Sequence, residues 1–189
     1  MTHPQAHPQA RPQARPQADY PRTLTHEEVM DLLPHRGGIL FIDNVELLAR
    51  ERCRADVVWR ADGMGLAGHF PGCPLVPGVF LIEAAAQVAG AALLAVQHSD
   101  EPTAERRLGM LAGTRNCSFR RPVRPGDTVR YELHMRQMGT QLVQVTGAGH
   151  VNDQIAVQID LLLAQAEAAQ LRALLPDLQL PLRATATAA

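Results

Sequence analysis

The chain has 189 residues, 46 % of them hydrophobic, and a formal net charge of −1. That length suits one domain with a real core, and the near-zero charge offers no bulk attraction to nucleic acid. Three cysteines, Cys53, Cys73 and Cys117, without metal-ligand spacing, and a Pro/Gln-rich start with no apolar stretch, predict a cytoplasmic protein with free thiols rather than a secreted one.

Residues 3–18 read HPQA, HPQA, RPQA, RPQA. Proline at every fourth position blocks both helical and ladder hydrogen bonds, so residues 1–20 are predicted to be an extended, disordered tail. Its two histidines are too few for a metal tract. Thr25 and Glu28 fit a capping box that opens a short helix, and Pro34 stops it after Leu33. Pro34 to Gly38 reads as a turn. Ile39 to Leu48 reads as a buried strand with a bend at Asp43-Asn44. Arg54 to Trp59 reads as a second strand, with Ala55, Val57 and Trp59 on one face. Asp62 to Gly68 is a Gly-rich loop that delivers His69.

From Gly78 to Val96 runs a 19-residue apolar stretch, broken only by Glu83 and Gln87. It is nearly long enough to cross a bilayer, but an acid and an amide one turn apart are costly in lipid. A buried core helix of a soluble protein is apolar all round in the same way, and no membrane span is expected. Gln97 to Arg106, with Pro102, reads as a loop. Leu108 to Arg115 is a strand continued by Asn116 to Phe119, and Arg121 to Asp127 is a turn.

Three strands with period-2 alternation follow. Val129, Tyr131, Leu133 and Met135 share one face, and Arg130, Glu132, His134 and Arg136 share the other. Gly139-Thr140 turns into a strand with Val143, Val145, Gly147 and Gly149 on one face. Asn152-Asp153 turns into the last strand, with Ile155, Val157, Ile159, Leu161 and Leu163 alternating. Ala164 to Leu175 is predicted to be a terminal helix, and Leu178 to Ala189 to fray. The fold class is therefore α+β: a curved antiparallel sheet over residues 21–165 around one long apolar helix, followed by a C-terminal helix and tail over 166–189. A helix with no polar face needs cover on every side, so a second subunit is expected to shield what the sheet leaves bare.

The chemistry concentrates between His69 and Gln87. Imidazole titrates near neutrality, so His69, held by a proline-rich loop, is a candidate base. It also fits a plain surface or capping histidine. Glu83, surrounded by Ile82, Ala84 and Ala86, is expected to be desolvated, with a raised pKa that suits a protonated general acid. Gln87, four residues on, lies on the same helix face and is placed to orient it. The unpaired N–H groups of Gly78 and Val79 at the helix start are candidate oxyanion donors, and Pro77 sits where a missing N–H costs nothing. Base, acid and oxyanion donors beside an apolar tunnel suit proton removal alpha to a carbonyl with loss of a beta leaving group. No metal is assigned, because His35, His98, His134 and His150 lack ligand-like spacing, and no cofactor is implied.

His69-Phe70-Pro71-Gly72, then Pro77-Gly78-Val79, then Glu83-Ala84-Ala85-Ala86-Gln87, resembles the signature of the 3-hydroxyacyl-acyl-carrier-protein dehydratases of the hot-dog fold. Leu33-Pro34-His35-Arg36 with Phe41-Ile42-Asp43, and Leu111-Ala112-Gly113 through Phe119 to Asp127, resemble the family's opening and later strand. The resemblance spans roughly residues 24–164. It implies a dimer, with a trimer of dimers left open, in which His69 of one subunit meets Glu83 of the other. It implies removal of water from a (3R)-3-hydroxyacyl thioester on an acyl carrier protein, giving the trans-2-enoyl product. His69 would take the alpha proton, Glu83 would help expel the hydroxyl, and the Gly78 N–H would bind the carbonyl, with Phe70, Pro77, Val79 and Gln87 completing the substrate site. A glutamate at 83 resembles the dehydratase-only branch, since the isomerising relatives carry aspartate there. The chain departs from the family at Arg115 and Ser118, where an acid and an arginine are usual, and at Gly37-Gly38. A dedicated polyketide or polyene pathway therefore stands beside fatty-acid synthesis. An acyl thioesterase on the same fold, and a non-catalytic acyl-thioester-binding or scaffold subunit, are the alternatives.

Every one of the 18 basic residues is arginine, and eight of them fall between Arg106 and Arg136 against the acids Asp127 and Glu132. Such a patch suits an acidic carrier protein, with Arg120, Arg121 and Arg124 as docking candidates. A charged sheet edge that resists aggregation reads the same way.

Overall fold

An eight-stranded antiparallel sheet curls around one long helix in the computed structural model, which describes residues 19–63, 65–100 and 107–174. The elements in chain order are β1 (Arg22–Leu24), α1 (His26–Leu32), a 3₁₀ turn (Gly37–Ile39), β2 (Val45–Ala49), β3 (Arg52–Val58), α2 (Leu66–His69) and α3 (Gly78–Asp100). Then come β4 (Arg107–Thr114), β5 (Ser118–Phe119), β6 (Thr128–Met138), β7 (Leu142–Val151), β8 (Gln154–Glu167) and α4 (Ala168–Leu174). The strand order is β1-β2-β3-β6-β7-β8-β4, with β5 also paired to β8. The tail repeat, the segment around Pro102 and the final residues from Leu178 lie outside the described residues.

Local sequence accounts for most of these boundaries. Thr25 accepts a bond from the Glu28 N–H at 3.3 Å, and the Glu28 carboxylate accepts from the Thr25 N–H at 2.9 Å, which closes the capping box of α1. Asn152 and Asp153 both take positive φ, +50° and +60°, so the β7–β8 connection is a tight two-residue hairpin. Val129, Tyr131, Leu133 and Met135 of β6 are buried, while the alternate residues face solvent.

α3 fills the concave side of the sheet. Half of its buried residues are alanines, with Leu81, Val88, Leu94 and Val96 among the others, and small side chains let the strands approach closely. The Tyr131 hydroxyl, fully buried, donates to the Leu81 carbonyl at 2.9 Å and ties β6 to the helix. The helix is long and apolar enough to cross a membrane, but 67 % of its most apolar stretch is buried inside the fold. A side chain at Gly147 would place its Cβ 2.1 Å from the Glu132 carbonyl oxygen, so only glycine fits there.

Four readings of the sequence are corrected. The strand expected over Ile39 to Leu48 is only Val45–Ala49. Upstream of it, the Phe41 N–H and the Ile39 carbonyl bond the side chain of Gln87 instead of a neighbouring strand, which lays that segment against α3. The central helix continues past Val96 to Asp100. The helix expected from Ala164 starts only at Ala168, because pairing with β4 keeps β8 extended as far as Arg107↔Glu167. Ile155 does not join the core face. The β7–β8 register shifts between Gly149 and His150, so Ala156 and Val157 are both buried and Ile155 is 42 % exposed.

Candidate active site

The loop before α3 sets His69. Leu66, buried under the loop, anchors the single turn of α2, where a plain glycine-rich loop was expected. The His69 Nδ1 lies 3.1 Å from the Leu75 carbonyl oxygen. A carbonyl only accepts, so Nδ1 is the donor, and in the neutral ring this leaves the Nε2 lone pair exposed, the arrangement a base requires. The ring rests against Phe70, with centroids 4.2 Å apart. The loop is braced by bonds from the Cys73 N–H to the Phe70 carbonyl and from the Val76 N–H to the Val123 carbonyl, each 2.9 Å.

α3 then begins. The N–H groups of Phe80 and Leu81 turn back to the Pro77 carbonyl, at 2.9 and 3.4 Å, so Gly78 and Val79 present the first two N–H groups of the helix ahead of that closure. The Phe119 ring lies directly over Gly78, where an added Cβ would sit 2.6 Å from its Cζ. Glycine at 78 is what lets an aromatic ring roof the helix start. Phe70, Val79 and Phe119 are each more than half exposed around this end.

Glu83 lies one helical stripe further along. Gln87 Nε2 donates to its Oε1 at 2.9 Å, and His35 Nε2 lies 3.2 Å from the same oxygen. Among the described residues, Oε2 has no hydrogen-bond partner. Gln87 is itself fixed, since Nε2 also reaches the Ile39 carbonyl at 2.7 Å and Oε1 accepts from the Phe41 N–H at 3.0 Å. The expected raised pKa is not found. The His35 hydrogen bond holds the Glu83 carboxyl below the ordinary carboxylate value; burial pushes the other way, and the bond from Gln87 adds to the lowering. Desolvation was read correctly from the neighbours of Glu83, but it is outweighed by a partner the local sequence does not reveal.

His35 is the residue that reading by spacing missed. It comes from the Leu33–Gly38 stretch, 48 residues before Glu83, and its Nδ1 is buried without a hydrogen-bond partner. The signal available was Pro34-His35 itself, a stiff dipeptide carrying a titratable ring at the end of α1. His35, Glu83 and Gln87 share one pocket of about 370 Å³ whose other walls are apolar or glycine. His69 does not join them within the chain. Its ring bonds Leu75, and no hydrogen bond links it to Glu83.

Arg120, Arg121 and Arg124 are all exposed at the turn after β5. Arg121 bonds the Gln154 side chain, and the Arg124 N–H is held by Asp127 at 2.8 Å. Arg130 is paired with Asp56, which neutralises it on the sheet face, whereas Arg136 bonds the uncharged Gln144 side chain.

A family model described as FabA-like domain matches residues 33–160. The chain is 36 % identical to 3-hydroxyacyl-acyl-carrier-protein dehydratase FabZ of Chloroflexus aggregans, over 75 % of this chain and 95 % of that protein. It is 34 % identical to the protein of the same name from a Roseiflexus species, over 75 % and 96 %. Among solved structures, the fold matches the dehydratase heterocomplex ApeI:P of Xenorhabdus doucetiae with a TM-score of 0.64 at 22 % identity, covering 77 % of this chain and 95 % of that one. It also matches Cj0977, a sigma28-regulated virulence protein of Campylobacter jejuni, with a TM-score of 0.54 at 17 % identity over 74 % and 95 %.

Proposed function

We infer the activity from the family: this chain belongs to the FabA-like family, and it is a hydro-lyase that dehydrates 3-hydroxyacyl thioesters carried on acyl carrier protein, in fatty-acid biosynthesis. The observation that carries the reading to individual residues is Glu83. A carboxylate in an apolar pocket is costly unless it has partners or a task, and here both partners take the same oxygen. Among the described residues the other oxygen has no hydrogen-bond partner, which leaves it for a substrate.

The chemistry follows from the parts. The Gly78 N–H, with that of Val79 beside it, donates to the thioester carbonyl oxygen and stabilises the charge that develops there. The His69 Nε2 lone pair takes the alpha proton. The beta C–O bond breaks as the double bond forms, and Glu83 hands a proton to the departing hydroxyl, releasing water. The lowered pKa leaves Glu83 ionised near neutral pH, so it takes that proton from solvent as substrate enters, and His69 returns the alpha proton to solvent once product leaves. An acyl chain that displaces water strengthens the desolvation already opposing the charge, which moves the carboxyl toward its protonated form. Phe70 and Pro77 shape the entrance, and Gln87 aims the acid.

The active unit is a dimer in which His69 of one copy faces Glu83 of the other. Support comes from the separate partners of the two residues within one chain and from the exposed Phe70, Val79, Met110, Leu111 and Phe119, apolar surface that a second copy would cover. Arg120, Arg121 and Arg124 receive the acidic carrier. A cytoplasmic location fits the free thiols, including exposed Cys73.

The test is turnover of a (3R)-3-hydroxyacyl thioester by purified protein, with product mass recorded and the reaction also run from the trans-2-enoyl side. Loss of one water, reduced at least a hundredfold in His69→Ala and Glu83→Gln proteins that remain folded, is the expected result. Free acid as product would make the protein a thioesterase, and no turnover with any acyl thioester would leave a binding or scaffold subunit.

A further inference from the structure

The pocket at Glu83 has a polar head and an apolar body. On α3 its wall is a single stripe, Glu83, Ala86, Gln87, Gly90 and Leu94, at the spacing of one helix face. Eleven residues separate Glu83 from Leu94, so the stripe runs about 16 Å along the helix axis. Its volume of about 370 Å³ lies within the range of small-ligand sites. Beyond Glu83, His35 and Gln87, no lining residue carries a polar side chain. That is the shape of a cavity for a chain with one reactive end.

Leu171, on α4, belongs to the same lining. It is only 8 % exposed, while its neighbours Ala169, Gln170, Arg172 and Ala173 all face solvent. The helix therefore inserts one side chain and presents the rest to water. It does so from outside the family-matched region, which ends at residue 160. β8 makes this possible by staying extended to Glu167, which carries α4 past the end of β4.

We propose that α4 is a stopper for the acyl tail and that Leu171 sets the longest chain the pocket accepts. This rests on the dehydratase reading for the identity of the ligand, but not for the existence of the limit. Within the pocket each added methylene leaves water and gains affinity, about fourfold per carbon. At the limit the next carbon must displace Leu171 or bend, and the gain stops.

The experiment is binding of saturated acyl-N-acetylcysteamine thioesters of increasing even chain length, measured by calorimetry, with turnover of the matching 3-hydroxyacyl thioesters alongside. The wild-type protein should gain affinity with length and then level off. Leu171→Ala should move that plateau to longer chains by about two carbons, raising affinity for the first excluded length roughly fifteenfold relative to the shorter ones. Leu171→Trp should move it the other way. Circular dichroism establishes that both proteins keep their fold. A plateau unchanged in both variants, or no plateau in the wild type, overturns the stopper. A plateau that moves in a protein without hydro-lyase turnover would uphold the stopper while removing the dehydratase reading.

Discussion

Replacing His35 with alanine isolates the interaction that sets the charge of Glu83. The His35–Glu83 contact is 3.2 Å, longer than a tight charge-assisted bond, and the two side chains are 27 % and 29 % exposed. A buried hydrogen bond to a charged group contributes about 1.5–3 kcal/mol, and a fully exposed ion pair about 0.2–1. This one lies between, at about 1 kcal/mol. The single mutant will show less, because truncating His35 also removes a buried Nδ1 that has no partner. The coupling is therefore read from a double-mutant cycle with His35→Ala and Glu83→Gln, using urea unfolding at fixed protomer concentration. The folded pKa of Glu83 is lowered from 4.5, so its stabilising contribution is complete above that value and is lost as pH falls through the lower folded value. The expected coupling is about 1 kcal/mol at pH 7, fading at pH 4 and below. A coupling under about 0.3 kcal/mol at pH 7, or one that grows as Glu83 is protonated, would refute the reasoning.

Three other perturbations test separate parts of the structure. Gly78→Ala places a methyl 2.6 Å from the Phe119 ring, so it should destabilise the protein by about 1–3 kcal/mol in chemical denaturation, and Phe119→Ala in the same chain should recover most of that loss. Gly147→Ala meets a backbone carbonyl, which no rotamer change can move, so it should cost more than about 3 kcal/mol or yield insoluble protein, read from thermal melts and soluble yield. Arg121→Glu should raise KM for a carrier-bound substrate several-fold while leaving a small thioester mimic nearly unaffected; equal loss on both would remove the basic turn from carrier docking.

Much of this architecture was legible in the sequence because it is written in local patterns. The alternation over Val129 to Met135 identified the buried face of β6, and Thr25 with Glu28 marked the start of α1. The apolar run from Gly78 identified the helix everything else wraps. Most of the errors share one cause: a distant element supplied the hydrogen bonds or register that local preference could not anticipate. Ala164 to Glu167 is a good helix sequence, yet β4 offers its backbone a ladder, and the ladder wins. Ile39 to Leu40 has strand composition, yet the Gln87 amide takes up the backbone groups around it.

The active-site residues show the same division at finer scale. Gln87 was found as the companion of Glu83 because i,i+4 neighbours on a helix must meet, and the 2.9 Å bond between them follows from helix geometry alone. His35 was not found because nothing local connects positions 35 and 83. The consequence was a wrong sign, since burial without His35 raises the carboxyl pKa and burial with it leaves a net lowering. The sign bears on mechanism. A permanently protonated acid would have its proton in hand before substrate arrives, whereas a carboxylate held by an imidazole must acquire one when the acyl chain dries the pocket. In the proposed mechanism, substrate binding and acid activation are then one event. In that mechanism an apolar tail that fills the space up to Leu171 excludes water along the stripe that carries Glu83, so the proposed stopper would also govern how completely the acid is desolvated.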